Sequence, residues 1–318
     1  MFELLCIPAP TDDNFSVKSI TKVLDVPLTN YYGVMCRKNQ MLYMSPGAAI
    51  NGSIRYEWYG FDTDSDILTT LKPSSYGIYA THAALVGEFI YLLGGTNQLN
   101  GGAATNGIDK IMWRYNPETD AWSGMQADDT YTLSTINDYT FEYEGFLNLH
   151  LNGTIYRSTR PSETVTTRRA WVVYAETGNG FYSNADISHY LDGDDLYMFG
   201  GMVNAVNKRV GKFNLITKTW VDVTEDYGFF PSTNGRAAVF KFRNSFVIIP
   251  DQVGTTNNKN IYKLTKGKAP EIIGQLPFFA RGASFEMVGN HIYMHGGVTT
   301  STGTYASSQK ALHRIELD

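Results

Sequence analysis

The sequence predicts an all-β chain wound into a six-bladed β-propeller. Three observations carry that prediction. Aromatic residues make up 14% of the 318 positions, with 21 Tyr, 17 Phe and 30 Gly, a composition that favours strands and turns over helices. A pattern of apolar strand, glycine pair, polar loop and spaced aromatics recurs at a period of about fifty residues. The last copy stops one strand short at the C-terminus, and a matching strand stands near the N-terminus.

The clearest copy spans 89–125. Its strand ends in Gly94-Gly95, a polar loop follows, then Tyr115-Asn116, with Trp122 seven residues after the tyrosine. Residues 191–223 repeat it with Gly200-Gly201, Phe213-Asn214 and Trp220, and 286–318 carry Gly296-Gly297. These spacings resemble the kelch repeat. Weaker copies fill the gaps. Segment 33–47 aligns Tyr43 with Tyr91 and has Pro46-Gly47 for the glycine pair, with 61–68 as its second half. Segment 141–153, continued by 171–181, has Leu151-Asn152 there, and 236–252 has Asp251-Gln252.

Each copy supplies about four short antiparallel strands. A lone sheet of that size cannot bury both faces, but six set radially cover one another and leave short edges. The glycines end the second strand where the chain needs positive φ or close approach. Tyrosine and tryptophan fill the wedges between blades. Residues 15–318 are expected to form one propeller, closed by 20–27 pairing with 311–318. The motif Ile20-Thr21-Lys22 repeats Ile216-Thr217-Lys218 of an outer strand. Residues 1–14 are left as an N-terminal arm or an extra strand.

Composition narrows the function. A net charge of −5 argues against a general nucleic-acid binder, which needs a basic surface to displace counterions. Cys6 and Cys36 are too few for a disulfide framework, and no CxxC occurs. No run approaches the 18 apolar residues of a membrane span. The N-terminus has no basic segment followed by a long apolar one, so no secretory signal is expected, and a cytoplasmic or virion-associated protein is.

No catalytic residue, cofactor or metal is expected. His150 and His295 share one register but fall in blades 3 and 6, on opposite sides of a six-membered ring. HExxH, GxSxG and P-loop patterns are absent. Among enzymes that the resemblance admits, the copper oxidases need a Tyr-Cys cross-link and paired histidines, which Cys36 does not offer. The iron pattern ExxxDxxxH is also missing. Sialic-acid epimerases, which are six-bladed, leave a carbohydrate-active or carbohydrate-binding protein as the alternative reading.

Two constellations are candidates for binding. Twelve residues before the aligned second-strand position, at the start of each inner strand, the blades read Tyr31, Tyr79, Ile136, Ala185, Arg236 and Arg281. The two arginines are neighbours, and the ring continues into the two tyrosines. Arginine forks grip carboxylates, and tyrosine faces stack on sugars, so this is a candidate ligand site at the channel mouth. The second constellation is the polar loops 96–107, 157–169, 253–260 and 298–310, expected to leave one disc face. Their candidate contact residues are Asn97, Gln98, Asn100, Asn106, Arg157, Arg160, Asn257, Asn258, Ser301 and Tyr305. The expectation is a non-enzymatic binding or structural subunit. It would engage other protein subunits or a surface glycan, as in a phage tail or host-attachment component.

Overall fold

The structure is a computed structural model. It describes residues 13–45, 47–48, 55–74, 81–94, 111–126, 139–151, 153–158, 171–177, 187–200, 202–203, 205–206, 209–228, 234–253, 256–302 and 305–318. Six antiparallel sheets form the blades. Strand β1 (Val17–Asn30) comes first. Blade 1 holds β2 (Val34–Lys38), β3 (Met41–Ser45), β4 (Trp58–Asp62) and β5 (Ile67–Leu71). Blade 2 holds β6 (Thr81–Val86), β7 (Phe89–Gly94), β8 (Ile111–Asn116) and β9 (Ala121–Gln126). Blade 3 holds β10 (Tyr139–Tyr143), β11 (Phe146–Leu151), β12 (Thr154–Ser158) and β13 (Trp171–Glu176).

Blade 4 starts with β14 (Ile187–Asp192) and β15 (Asp195–Gly200). A two-stranded ribbon, β16 (Met202–Val203) with β17 (Ala205–Val206), precedes β18 (Val210–Asn214) and β19 (Thr219–Asp222), and one helical turn, α1 (Thr224–Tyr227), follows. Blade 5 has β20 (Asn234–Phe242), β21 (Ser245–Val253) with the short β22 (Thr256–Asn257) beside it, β23 (Asn260–Thr265) and β24 (Glu271–Gln275). Blade 6 has β25 (Ser284–Val288), β26 (His291–His295) and β27 (Gln309–Leu317), and β1 supplies its outer strand.

The first strands of the blades touch in the order β2, β6, β10, β14, β20, β25 and back to β2, so they ring a central channel. The core is divided into wedges between blades. Between blades 1 and 2, Trp58 and Tyr43 meet Tyr115 and Ile90. Between blades 3 and 4, Phe141 and Ile155 meet Phe213 and Met198. The spaced aromatics of the repeat sit in these wedges. Tyr91 and Tyr115 are fully buried, and the Trp122 indole donates to the Lys72 carbonyl of blade 1 at 2.8 Å.

Closure uses both termini. Strand β1 runs antiparallel to β27, with Ile20 opposite Ile315 and Asp25 opposite Ala311. Val26 enters the wedge between blades 6 and 1 with Leu312 and Met35, and Phe15 enters the wedge between blades 5 and 6. Asn30, fully buried, ties the end of β1 to blade 6 by donating to the His295 carbonyl at 2.7 Å. Gly296 makes that approach possible: its φ is +88°, and a Cβ there would lie 2.6 Å from the Asn30 carbonyl oxygen. The chain end is clamped to blade 5. The Arg243 guanidinium donates to the carbonyls of Asp318 (2.9 Å) and Asn14 (3.2 Å). Residues 1–12 of the expected arm lie outside the described residues.

Blade 3 departs from the expected plan. Its second strand turns directly into its third at Gly153 (φ 79°), with Leu151 opposite Thr154. The long segment therefore joins the third strand to the fourth, between the paired residues Ser158 and Trp171. Arg157 lies inside β12, and the connection leaves from the end of the blade opposite the one sequence reasoning assigned to it.

Deleting residues 13–27 removes Phe15, Ile20 and Val26 from the core. At about 1.5–3 kcal/mol per large apolar side chain, the loss is comparable with the whole stability of an ordinary domain. The deletion variant is expected to lose its cooperative thermal transition in circular dichroism. An unchanged melting curve would contradict closure by β1.

Candidate functional site

The channel opens into a cavity of about 360 Å³. All six first strands contribute to its wall, together with Tyr32 and Asp251. These strands start at the end where the second strands finish: Val34 pairs with Ser45, Tyr139 with His150 and Ser284 with His295. The cavity mouth and the connections after the second strands therefore share one face of the disc.

The mouth is built at the seam between blades 6 and 1. The Tyr32 backbone N–H donates to the Gly282 carbonyl at 2.7 Å. Tyr31 is buried: a Cβ on Gly282 would lie 2.5 Å from its ring, and Tyr32 packs edge-on at 4.7 Å. Arg281 stands beside both tyrosines. Burial works against its charge, but the Tyr31 and Tyr32 phenols and the Asp251 carboxylate raise its pKa further above the ordinary guanidinium value. Sequence reasoning put Arg281 next to Tyr31, and the structure places them in contact range. Tyr32, not Tyr31, lines the cavity. Arg236 lies on β20, its side chain outside the described residues, and Tyr79 lies outside them altogether.

Deeper in, the wall becomes a histidine-tyrosine layer. The Tyr139 ring stacks on His189 at 4.5 Å. His189 Nε2 lies 2.9 Å from His150 Nδ1, and His150 Nε2 lies 3.2 Å from the Thr177 hydroxyl. That hydroxyl donates to the Gly153 carbonyl at 2.8 Å, so it accepts from His150, and His150 Nδ1 accepts from His189. His150, donating from one nitrogen and accepting at the other, is therefore neutral, and burial pulls His150 down to about 4 and His189 well below its ordinary value. Ser188 accepts the Ala237 backbone N–H at 2.6 Å, joining blades 4 and 5. Thr140 lines the same layer, 3% exposed. Among the described residues its hydroxyl has no hydrogen-bond partner.

The deepest lining layer holds one charge. Opposite the second-strand position occupied by Tyr43, Tyr91 and Tyr293, the first strands read Cys36, Ala84, Phe141, Tyr190, Phe240 and Glu286, of which Tyr190, Phe240 and Glu286 line the cavity. Glu286 is half-buried in the channel wall, and burial pushes its carboxyl up to about 7. Its Oε1 accepts the Met287 N–H at 3.0 Å. Burial also raises the Cys36 thiol, the nearby Glu286 charge adding to the effect, so this is no reactive cysteine. Sequence reasoning passed over Glu286 and the His150–His189 contact. Reading blade 6 five residues past Arg281, at the level of Cys36 and Tyr190, would have exposed the carboxylate.

The predicted loop residues are placed less simply. Asn257 and Asn258 are buried. Asn257 bonds the Thr300 and Ser301 carbonyls, and Asn258 bonds the Pro250 and Asn260 carbonyls, so they pin blade 5 to blade 6. Ser301 is exposed at this junction, and Tyr305 opens a short 3-10 turn. Arg157 is held between its own neighbours, 3.8 Å over the Tyr174 ring and bonded to Asn148 and Glu144. That commits its side chain to the packing of blade 3. Asn97, Gln98, Asn100, Asn106 and Arg160 lie outside the described residues. Among the described residues no group of three or more His, Cys, Asp or Glu side chains could hold a metal ion, and no helix is long and apolar enough to cross a membrane.

The solved structure of YjhT shares this fold with a TM-score of 0.68 at 13% identity, over 91% of this chain and 96% of that one. Likeness at that identity shows the six-bladed propeller alone. Matches extend to 817 chains of known structure, so the architecture selects no activity. No protein-family model and no curated protein matches the chain, and the kelch resemblance rests on its motif residues.

The buried imidazoles make stability pH-dependent. Unfolded histidine takes a proton near pH 6.5, whereas His150 and His295 are both held at about 4 by burial. Their contribution is whole above pH 6.5 and is lost as pH falls towards 4. Glu286, raised to about 7, acts oppositely: its contribution is whole below about 4.5 and is lost as pH rises through 7. Between pH 6.5 and 4.5 the two histidines outweigh one carboxyl, so urea midpoints are expected to fall. His150→Gln removes one proton from that balance, a slope change of up to about 1.4 kcal/mol per pH unit. An unaltered slope in His150→Gln would show that His150 is not neutral in the fold.

Proposed function

We propose that this propeller is a non-enzymatic binding subunit that captures a saccharide at the mouth of its central channel, and so attaches a larger assembly to a glycan. The observation that carries the reading is the cavity itself. Its volume falls in the range of small-ligand sites. Its lining mixes tyrosine rings with hydroxyl, carboxylate and backbone groups, the partners that sugar hydroxyls and ring faces need. Arg281 beside the Tyr31 and Tyr32 phenols, with the Asp251 carboxylate adding more weakly to its charge, suits a sugar carboxylate as well as neutral hydroxyls.

The assembly role, in the manner of a phage tail or host-attachment component, extends the same reading. Connections after the second strands leave the face where the cavity opens, so a partner seated there would cover the mouth. The reading needs no catalytic step and assigns none.

Titration calorimetry with glucose, galactose and N-acetylneuraminic acid tests the proposal. At least one is expected to bind with a Kd in the millimolar range or tighter. Arg281→Gln is expected to weaken it at least tenfold, about 1.4 kcal/mol, with the melting temperature unchanged. If no sugar binds, while replacing 98–106 by a short Gly-Ser turn abolishes assembly, the protein-partner reading holds instead.

A further inference from the structure

The deep layer of the channel differs chemically from its mouth. Glu286 stands alone among Cys36, Ala84, Phe141, Tyr190 and Phe240 at its level, and among the described residues it makes no ion pair. Its nearest cation is Arg37. That side chain is exposed and spends an Nη1 hydrogen on the Met287 carbonyl at 2.6 Å. In the middle layer His150 is neutral through its bonds to His189 and Thr177, and burial holds His189 well below its ordinary value, while His82 also lines the cavity. Tyr139 and Tyr190 line the same cavity as Glu286, and burial raises both phenols, with the Glu286 charge adding to it. Thr140, 3% exposed, adds a hydroxyl whose oxygen has no partner among the described residues.

We infer that the deep end of the cavity is a binding site for a protonated primary amine, with Glu286 as its counter-ion and Tyr139, Tyr190 and Thr140 as further acceptors. An ammonium carries three N–H donors and no acceptor. It therefore matches a layer made of one carboxylate and several hydroxyls with no free cation. A buried, uncompensated carboxylate is costly, and a ligand cation removes that cost on binding. Resting on the saccharide reading above, the inference narrows the ligand to an amino sugar, whose ring sits towards the mouth and whose amine reaches Glu286.

The same chemistry explains why the site suits an amine better than a metal ion. Zinc or copper would need three or four His, Cys or carboxylate ligands converging, and no such group occurs among the described residues.

The test is calorimetric titration at pH 7.5 with ethylammonium, glucosamine and glucose, against wild type and the isosteric Glu286→Gln. Glucosamine is expected to bind wild type at least tenfold tighter than glucose. That preference should vanish in Glu286→Gln, with glucose affinity unchanged. Ethylammonium should bind wild type and not the variant, and potassium chloride at equal concentration should not displace it. A second reading needs no variant: ethylammonium affinity should rise about tenfold from pH 6 to pH 8, following the ionised fraction of a group titrating near 7. A flat pH profile, a preference that survives Glu286→Gln, or equal displacement by potassium would overturn the inference. If amines bind through Glu286 while no sugar does, the saccharide reading fails and this site stands. If sugars bind without preference for the amine, the reverse holds.

Discussion

The fold depends on one ladder, the antiparallel pairing of β1 with β27. Five of the six sheets are continuous in sequence, but the sixth is completed from the far end of the chain. Without it, the wedge holding Val26, Leu312, Met35 and Tyr293 would open to water, and so would the Phe15 side of the wedge between blades 5 and 6. A radial arrangement has no spare face: each blade is stable because both neighbours cover it. The ladder is reinforced at both ends. Asn30 is bonded into blade 6 at the mouth, and Asp318, Ser16 and Arg243 interlock at the opposite end. The seam also carries Tyr31, Tyr32 and Arg281, so the closure that holds the ring builds the channel mouth.

Polarity along the channel follows from what each layer can satisfy. At the mouth the Arg281 charge is favoured by the Tyr31 and Tyr32 phenols and, more weakly, by the Asp251 carboxylate. In the middle, imidazoles bond to one another and stay neutral. At depth the Glu286 carboxylate remains, and burial raises its pKa by more than the Met287 N–H and the Arg37 charge lower it. This gradient from balanced to anionic makes the two ends of the cavity chemically distinct, so a ligand would be read for its hydroxyls at one level and for a positive charge at the other.

Much of the architecture was legible because it depends on repeated local chemistry. The buried Tyr43, Tyr91 and Tyr293 mark the same place in blades 1, 2 and 6, and a period is visible without knowing any contact. The match of Ile20-Thr21-Lys22 with Ile216-Thr217-Lys218 pointed to a strand displaced to the other terminus. Blade 3 was harder. The chain turns tightly at Gly153, with Leu151 opposite Thr154, where other blades have a long connection, so the spacing from Phe146 to Trp171 misassigned the third strand. Contacts between blades were not legible at all. His150 meets His189 across 39 residues because two sheets present matching heights, and that height follows from ring geometry. Arg157 read as a loop cation because nothing local revealed the Tyr174 ring beneath it.

The central claim is that the ring is one cooperative unit whose closure by β1 holds the channel in shape. Amide hydrogen exchange, followed by mass spectrometry under native conditions, tests it most directly. The account predicts that β1 and β27 open with the same free energy as the channel-lining strands β2, β10 and β25, within about 1 kcal/mol, as parts of one global transition. If β1 exchanges several kcal/mol more easily while β2, β10 and β25 stay protected, the channel does not depend on closure, and the account is wrong.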